Sequence, residues 1–447
     1  MNINYINMLI NVMMFILFNT LNLVFTQITF NFKQKNDISK ANINTLYSIL
    51  YNIQLETNIQ IGNPIQNIPV FIELQTYYLF ISSNEMNGNF IKYDPSKSNS
   101  YINNKEISLY SENFELTNSS NENFILGNEL KKGEKLDFIC IRKGKYNQSG
   151  TLGLKVRIEN KGVTNYNIIY QLKEKKLIDS YIFYLQYTSE SEGKLIIGNY
   201  PHILNNKLFK KEQLKNTKEV IDGQTRFYIK FDKIIAGNET FTERLEGYFE
   251  MENGLMRGSV FYLNYLRANF FNEKIKNNYC KIELLKDNTG WSNEYFICDE
   301  DKIDLKSFPD LKFILNDINM TFTFNGEELF YKFQGKLYFL VYFTGSYRIE
   351  WIFGKPFLKK YITVFDPDQK LIGFYENIFE KGNNYLKYYL ISFICFALGI
   401  FIGIFYYKNY KKQRKIRANE LEDNFIYEPY ENKKENGKNE NKKILGI

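Results

Sequence analysis

Histidine is almost absent from this sequence of 447 residues, which contains a single copy, His202. Hydrolases of the Ser–His–Asp and Cys–His types need a histidine base, so they are excluded unless His202 is that base. A histidine-rich zinc site is excluded for the same reason, and we predict no metal site and no cofactor. His202 follows the turn-like string 198–201, Gly-Asn-Tyr-Pro, which predicts an ordinary surface residue.

Cysteine is also scarce, with four copies in the chain. Cys280 and Cys298 enclose a short loop, and we predict that they form a disulfide in an oxidising compartment. Cys140 has no partner in this scheme and is predicted to be a small buried hydrophobic residue. Cys395 lies inside a long apolar stretch.

A dense cluster of basic residues is missing from most of the chain. The net charge is +7, and the basic residues are concentrated at one place near the C-terminus. A nucleic-acid-binding protein would carry its basic cluster on a folded domain, so we predict no nucleic-acid partner. The basic run from Lys408 to Arg417 instead follows residues 388–407, which carry no charge. Twenty apolar residues at helical rise span roughly 30 Å, the hydrocarbon thickness of a bilayer.

Residues 388–407 are therefore predicted to form one transmembrane helix. Tyrosines at both ends fit an interfacial belt, and the positive-inside rule places the tail, residues 408–447, in the cytoplasm. The composition of this tail, rich in Asn, Lys and Glu, predicts disorder. Gly399 and Gly403 form a small-xxx-small pair through which two such helices can dimerise.

Residues 1–26 resemble a secretory signal peptide, although the positively charged start is missing. An N-terminal membrane anchor is the alternative. With a cleaved signal, the chain is a single-pass type I membrane protein whose lumenal or extracellular part runs from residue 27 to about 385. The sequence leaves open the secretory membranes, the endolysosomal membranes and the cell surface.

Four glycosylation sequons fall in the predicted lumenal part, at Asn118, Asn147, Asn238 and Asn319. Asparagine is common throughout this chain, so some sequons arise by chance. We therefore treat them as support for a lumenal location and not as its basis.

The stretch from 47 to 376 contains short alternating or wholly apolar runs separated by Gly, Asn and Pro turns, which predicts an all-β fold. Helices are predicted only over residues 166–176 and 260–275. The apolar residues assigned to the second helix are Phe261, Leu263, Leu266 and Phe270.

Two remote strings in this region are alike. Residues 72–76 read Ile-Glu-Leu-Gln-Thr, and residues 251–255 read Met-Glu-Asn-Gly-Leu. Each places a carboxylate after an apolar strand and before a polar turn. Such pentapeptides are common, so their meaning depends on the strings around them.

Those surrounding strings, in the same order, resemble the pepsin-like aspartic peptidase family. Residues 59–66, Ile-Gln-Ile-Gly-Asn-Pro-Ile-Gln, are similar to the family's first strand and turn. Residues 93–101, Tyr-Asp-Pro-Ser-Lys-Ser-Asn-Ser-Tyr, are similar to its Phe-Asp-Pro-Ser-x-Ser-x-Thr-Tyr string. Residues 150–154 resemble its Gly-Ile-Leu-Gly-Leu string, and residues 351–358, Trp-Ile-Phe-Gly-Lys-Pro-Phe-Leu, resemble its Trp-Ile-Leu-Gly-x-x-Phe-Leu ending. The resemblance spans about 47–376.

The resemblance implies a bilobal, β-rich fold with a central cleft. The N-terminal lobe would cover residues 47–205 and the C-terminal lobe residues 206–380. Residues 27–46 would be a short N-terminal segment or pro-segment. A β-hairpin flap would close over the cleft, with Tyr110 at the position of the family's flap tyrosine.

Family members hold two Asp side chains face to face, each within an Asp-Thr/Ser-Gly-Thr/Ser string. Here Glu73 and Glu252 occupy the two Asp positions, as a degenerate catalytic pair. Thr76 keeps one of the motif hydroxyls and Gly254 keeps one of the motif glycines. The resemblance makes Thr76, Tyr110 and Gly254 candidate substrate-binding residues.

Four further replacements accompany the two Glu residues. Leu74, Asn253 and Leu255 stand where the family has hydroxyl residues, and Gln75 stands where it has a glycine, adding bulk where none fits. We predict a membrane-anchored pseudo-protease whose cleft binds a peptide or protein without cutting it. The alternatives are an active aspartic-type endopeptidase with a Glu/Glu pair in an acidic lumen, and a structural surface glycoprotein.

Overall fold

A computed structural model describes the fold over most of the chain. The described residues are 27–35, 46–107, 114–127, 133–156, 166–211, 214–218, 227–243, 245–258, 260–286, 292–344, 350–376, 398–399, 402–403 and 405–417. The chain divides into two compact units, Met1–Asn377 and Ile378–Ile447.

The first half of the larger unit is built mainly from strands. They are β1 Ile28–Gln34, β2 Leu55–Ile61, β3 Gln66–Glu73, β4 Leu79–Ser82, β5 Ile102–Glu106, β6 Phe114–Ile125, β7 Glu134–Gly144, β8 Gly150–Gly153, β9 Phe183–Tyr187 and β10 Glu192–Ile197.

The second half is built in the same way from shorter strands. They are β11 Lys215–Lys218, β12 Tyr228–Lys230, β13 Lys233–Ala236, β14 Glu239–Phe241, β15 Glu246–Phe249, β16 Met256–Gly258, β17 Cys280–Lys286, β18 Ser292–Asp299, β19 Leu311–Leu315, β20 Met320–Phe324, β21 Phe330–Phe333, β22 Lys336–Phe339, β23 Val341–Thr344, β24 Trp351–Phe353, β25 Tyr361–Asp366 and β26 Leu371–Glu376.

Helices in this unit are short. They are α1 Leu46–Tyr51, α2 Ile168–Glu174, α3 Pro201–Leu204, α4 Val260–Leu266, α5 Asn272–Lys276, α6 Gly326–Leu329 and α7 Lys355–Lys360. Single 3-10 turns cover Pro95–Lys97, Glu300–Lys302 and Leu305–Ser307. The predicted helix over 166–176 corresponds to α2, whose N-terminus is capped by the Asn167 side chain.

The predicted helix over 260–275 is confirmed but interrupted. A π-helical segment, Arg267–Phe271, separates α4 from α5. In α4, Tyr262 is fully buried while Phe261 is 41% exposed. Of the four apolar residues named for this helix, Leu263, Leu266 and Phe270 are buried and Phe261 is not.

Strands from both ends of the unit share one large sheet. Its order is β11-β26-β25-β9-β10-β1-β2-β3-β8-β4-β7-β6-β5. β1 pairs with β10 over six residue pairs, from Ile28↔Ile197 to Lys33↔Glu192, and then meets β2 at Lys33 and Gln34. Residues 28–34 are thus a strand well inside the sheet, with Ile28, Phe30 and Phe32 buried in the core.

The second half forms two further sheets, of nine and four strands. In the nine-stranded sheet β17 and β18 pair antiparallel, and Cys280 lies directly opposite Cys298. The two cysteines are joined by a disulfide, which confirms that prediction, and Cys140 is free and buried.

Helix α1 packs on residues of the second half. Its Leu46, Tyr47 and Leu50 are buried in a cluster with Leu255 and the tyrosines Tyr295, Tyr338 and Tyr342. The Tyr47 hydroxyl donates to the carbonyl oxygen of Phe296 at 2.8 Å. The chain therefore crosses from the large sheet to the nine-stranded sheet before it enters β2.

His202 differs from its predicted surface setting. It lies in α3, is only partly exposed, stacks on Tyr200 and shares a 2.5 Å hydrogen bond between its Nδ1 and the Tyr375 hydroxyl. The turn-like string that suggested a surface position is the start of α3, where Pro201 occupies the first turn.

Most of the predicted transmembrane segment, 388–407, lies outside the described residues. In the smaller unit, residues 405–417 are helical. Within the part of the chain that the structure describes, no helix has both the length and the apolar character needed to cross a bilayer.

Candidate functional site

The first carboxylate, Glu73, is the last residue of β3. Its strand is parallel to β8, with Glu73 beside Gly153, and the Leu154 amide donates to the Glu73 carbonyl oxygen at 2.9 Å. A Cβ on Gly153 would come within 3.0 Å of the carbonyl oxygens of Thr76 and Tyr78. The glycine thus allows the turn after Glu73 to pack directly on β8.

The Glu73 side chain is held by a hydroxyl from its own turn. The Thr76 hydroxyl donates to Glu73 Oε2 at 2.6 Å, and the Thr151 hydroxyl lies 3.5 Å from Oε1. Thr151 is in turn bonded by Tyr146 and Gln148. Burial raises the pKa of Tyr146, and the charge of Glu73 adds to this effect. The orientation of Glu73 is therefore fixed, and Thr76 contributes to it directly.

The second carboxylate, Glu252, lies in the turn that follows β15. Three backbone hydrogen bonds fix this turn: Ile53 N to Glu252 O at 2.8 Å, Gly254 N to Leu50 O at 2.8 Å and Lys355 N to Asn253 O at 2.7 Å. The Asn253 side chain also accepts from the Leu255 amide at 3.0 Å. The main chain of the turn is thus supported by α1 and by α7.

The Glu252 side chain lacks the support that Glu73 has. Although the residue is partly exposed, its Oε2 atom is buried and has no hydrogen-bond partner. Burial raises the pKa of Glu252 to about 8, with further contributions from the charges of Glu250 and then Glu73. Glu252 is therefore a neutral acid below about pH 8, next to carboxylates whose charges it experiences.

Gly254 is a position where only glycine fits. A Cβ there would come within 3.0 Å of the Leu50 carbonyl oxygen and at 2.8 Å from Ile53 Cγ2. The glycine thus permits the close approach of the α1 segment to the Glu252 turn. This packing role is visible in the structure, and a contact with substrate stays a prediction.

The Gln75 side chain connects the Glu73 turn to the second half of the chain. The sequence did not predict this contact. Gln75 Nε2 donates to the Phe249 carbonyl oxygen at 3.2 Å, from the first half of the chain to the second. Leu74 and Leu255, on the two turns, are buried. Gln75 is partly exposed, and its amide adds a contact between the two halves that the prediction of added bulk did not include.

The proposed flap residue, Tyr110, lies outside the described residues. The arms of its hairpin are described: β5 pairs antiparallel with β6 from Ile102↔Asn121 to Glu106↔Asn118. All five residues of β5 are exposed, and β5 is the last strand of the large sheet.

The four predicted glycosylation sites differ in exposure. Asn147, Asn238 and Asn319 are exposed. Asn118 lies in β6 at 6% exposure, and its Nδ2 donates to Asn103 Oδ1 at 2.9 Å. A glycan on Asn118 would have to break this packing.

We therefore expect glycans at Asn147, Asn238 and Asn319 and none at Asn118 when the chain is expressed in secretory cells. Single Asn→Gln variants at the three exposed sites should each increase the electrophoretic mobility by the amount expected for the loss of one glycan, because each removes one accessible acceptor amide. Asn118→Gln should leave it unchanged. A mobility change in Asn118→Gln would show that Asn118 is glycosylated before β6 pairs with β5 and β7.

A surface cavity of about 320 Å³ lies among residues of β1, β2 and β10, and it shares no residue with the two glutamate turns. Within the described ranges, no group of three His, Cys, Asp or Glu side chains is arranged to hold a metal ion.

The three sheets and the two carboxylate turns define a β-rich protein with the features of the aspartic protease class. The sequence model of the family "eukaryotic aspartyl protease" matches residues 54–377, well over half of the chain. The chain therefore belongs to the eukaryotic aspartyl protease family. No curated protein matches the sequence.

Proposed function

We propose that this family member is a membrane-anchored pseudo-protease whose cleft binds an extended peptide or protein segment without cutting it. The anchor is the apolar segment 388–407, and the signal is residues 1–26. Together they place the folded part in the lumen or outside the cell and the tail, residues 408–447, in the cytoplasm. The family match supports the cleft, and the glutamate turns support the loss of catalysis.

The unequal support of the two glutamates is the observation that carries this proposal. Thr76 holds Glu73 at 2.6 Å, whereas Glu252 Oε2 is buried without a partner. An aspartic protease needs both carboxyl groups fixed in one geometry, so that one acts as the acid and the other as the base. A carboxyl group with one buried oxygen atom left without a partner does not meet this requirement.

The length of the two Glu side chains also argues against catalysis. Glu extends about 1.5 Å further than Asp, the length of one C–C bond. A misplacement of about 1 Å can lower a rate by roughly 100-fold. The Gln75 amide bonds to the Phe249 carbonyl oxygen at 3.2 Å, and this contact opposes a retreat of the turns that would compensate for the longer side chains.

Binding of an extended peptide needs none of these groups. A peptide can pair through its backbone with an exposed strand edge. β5 has five exposed residues at the edge of the large sheet, in the hairpin that the family uses as its flap. Peptide recognition can therefore persist where hydrolysis has been lost.

One observation favours the alternative of an active endopeptidase. The raised pKa of Glu252 and the hydrogen-bonded Glu73 give one neutral acid and one candidate base, which is the division of roles that the chemistry needs. The same division would arise in an inactive relative, because it follows from burial and neighbouring charge alone.

The test is hydrolysis of a mixed peptide library by the purified full-length chain in detergent, from about pH 3 to 7. We expect the wild type to show no cleavage above that of the variants Glu73→Gln and Glu252→Gln, because the proposed pseudo-protease is already inactive. The two variants are suitable controls because each isosteric change removes only one carboxyl group. Products would be identified by mass spectrometry. Cleavage by the wild type that disappears in both variants would establish an active Glu/Glu pair and refute the pseudo-protease.

A further inference from the structure

We propose that the cleft selects extended peptides with a Lys or Arg side chain, which it seats against the carboxyl groups of Glu73 and Glu252. This inference rests on the proposed peptide-binding function and adds the chemical class of the ligand. It follows from the distribution of charge and of hydrogen-bond partners around the two turns.

The two glutamates have acceptor capacity that the protein itself does not use. Glu73 receives hydroxyl groups from Thr76 and Thr151, which are neutral donors. Glu252 Oε2 receives nothing. No Lys or Arg forms an ion pair with either glutamate in the part of the chain that the structure describes. A carboxyl pair of this kind provides acceptors for a cation that arrives with the ligand.

Two buried cations near the Glu252 turn do not pair with its carboxyl group. α7 supplies Lys355, whose ammonium lies 3.3 Å from Glu190 Oε2 and 3.3 Å from Gln34 Oε1. β16 supplies Arg257, whose Nη2 donates to the Tyr248 hydroxyl at 3.3 Å and whose Nε has no hydrogen-bond partner. Neither side chain forms an ion pair with the two glutamates.

The charged groups that act on Glu252 are acidic. Glu250, directly after β15, and Glu73, at the end of β3, both raise its pKa through their negative charge. Tyr51 of α1 and Tyr342 of β23 are in ring contact near Glu250, whose charge adds to the effect of burial in raising the pKa of Tyr342. The charges that act on Glu252 thus favour a positive ligand group and disfavour a negative one.

A bound cation would change the protonation of Glu252. An ammonium or guanidinium group stabilises the ionised carboxylate and so lowers the pKa of Glu252 from about 8. Below that pH, binding must release a proton, so the affinity for a basic peptide rises with pH and levels off above about 8. The rise approaches tenfold for each pH unit if one full proton is released. The ligand would therefore be bound near neutral pH and released in an acidic compartment.

The experiment compares two synthetic decapeptides that differ only at a central position, Lys in one and norleucine in the other. Binding to the full-length chain in detergent is measured by titration calorimetry between pH 6 and 8, in two buffers of different ionisation enthalpy. We expect the Lys peptide to bind at least tenfold more tightly at pH 8, with proton release below it. Glu252→Gln should remove the proton release, and Glu73→Gln should reduce the preference for Lys.

A matched control is Glu327→Gln, an exposed glutamate of α6 outside the site, which should preserve both the preference and the proton release. Equal binding of the two peptides would overturn this inference while leaving peptide binding by the cleft intact. Binding of neither peptide would overturn the proposed function together with it. A preference for Lys that survives in both glutamate variants would assign the cation to other groups and refute this site.

Discussion

Replacing Gly354 with alanine should lower the free energy of unfolding by about 3 kcal/mol, the upper part of the usual range for overpacking. Gly354 precedes α7, directly behind the Glu252 turn. A Cβ there would come within 3.0 Å of the carbonyl oxygens of both Asn253 and Leu255, and neither oxygen can move without moving the turn. Urea unfolding followed by circular dichroism measures the change.

The matched control is Gly133→Ala, since its added Cβ would approach the Asn123 side chain only at 3.4 Å, an ordinary contact distance. This variant should keep the stability of the wild type to within about 0.5 kcal/mol. A Gly354→Ala protein as stable as the control would mean that the Glu252 turn is looser than its backbone hydrogen bonds indicate.

Removing the disulfide with the double change Cys280→Ala and Cys298→Ala should also lower the free energy of unfolding by about 3 kcal/mol. The two cysteines are 18 residues apart in the sequence, and a closed loop of that length restricts the unfolded chain by about this amount. Thermal unfolding with and without a reducing agent measures it. The reductant should destabilise the wild type and leave the double variant unchanged.

Cys140→Ala is the matched control, because Cys140 is buried and free. It removes one sulfur atom from the core but no crosslink, so its unfolding should respond to reductant as strongly as that of the wild type. A double variant that loses no stability would indicate that the seven residue pairs between β17 and β18 already hold the loop closed in the unfolded ensemble.

Much of the fold could be predicted because it depends on local strings. The alternating runs gave the strands, the Cys280–Cys298 spacing gave the disulfide, and the order of the family-like strings gave the class. The π-helical interruption at Arg267–Phe271 could not be predicted, because a 3.6-residue period does not show where one extra residue is inserted.

The chemistry of the site was predicted less completely than its position. Sequence comparison placed Glu73 and Glu252 at corresponding turns, but it could not show that only one of them has a hydroxyl partner. The Gln75 tie was missed for a related reason, since a glutamine at a glycine position signals only bulk. Its contact with Phe249, 174 residues away, exists only once the two halves have assembled.

The position of β1 constrains how this protein can be matured. Proteases are commonly activated by cutting away a leading peptide, and residues 27–46 occupy the place where such a peptide would be sought. Here, a cut that released them would extract β1 from between β10 and β2 and expose Phe30 and Phe32 to water. Trimming that preserves the fold must therefore stop before residue 28.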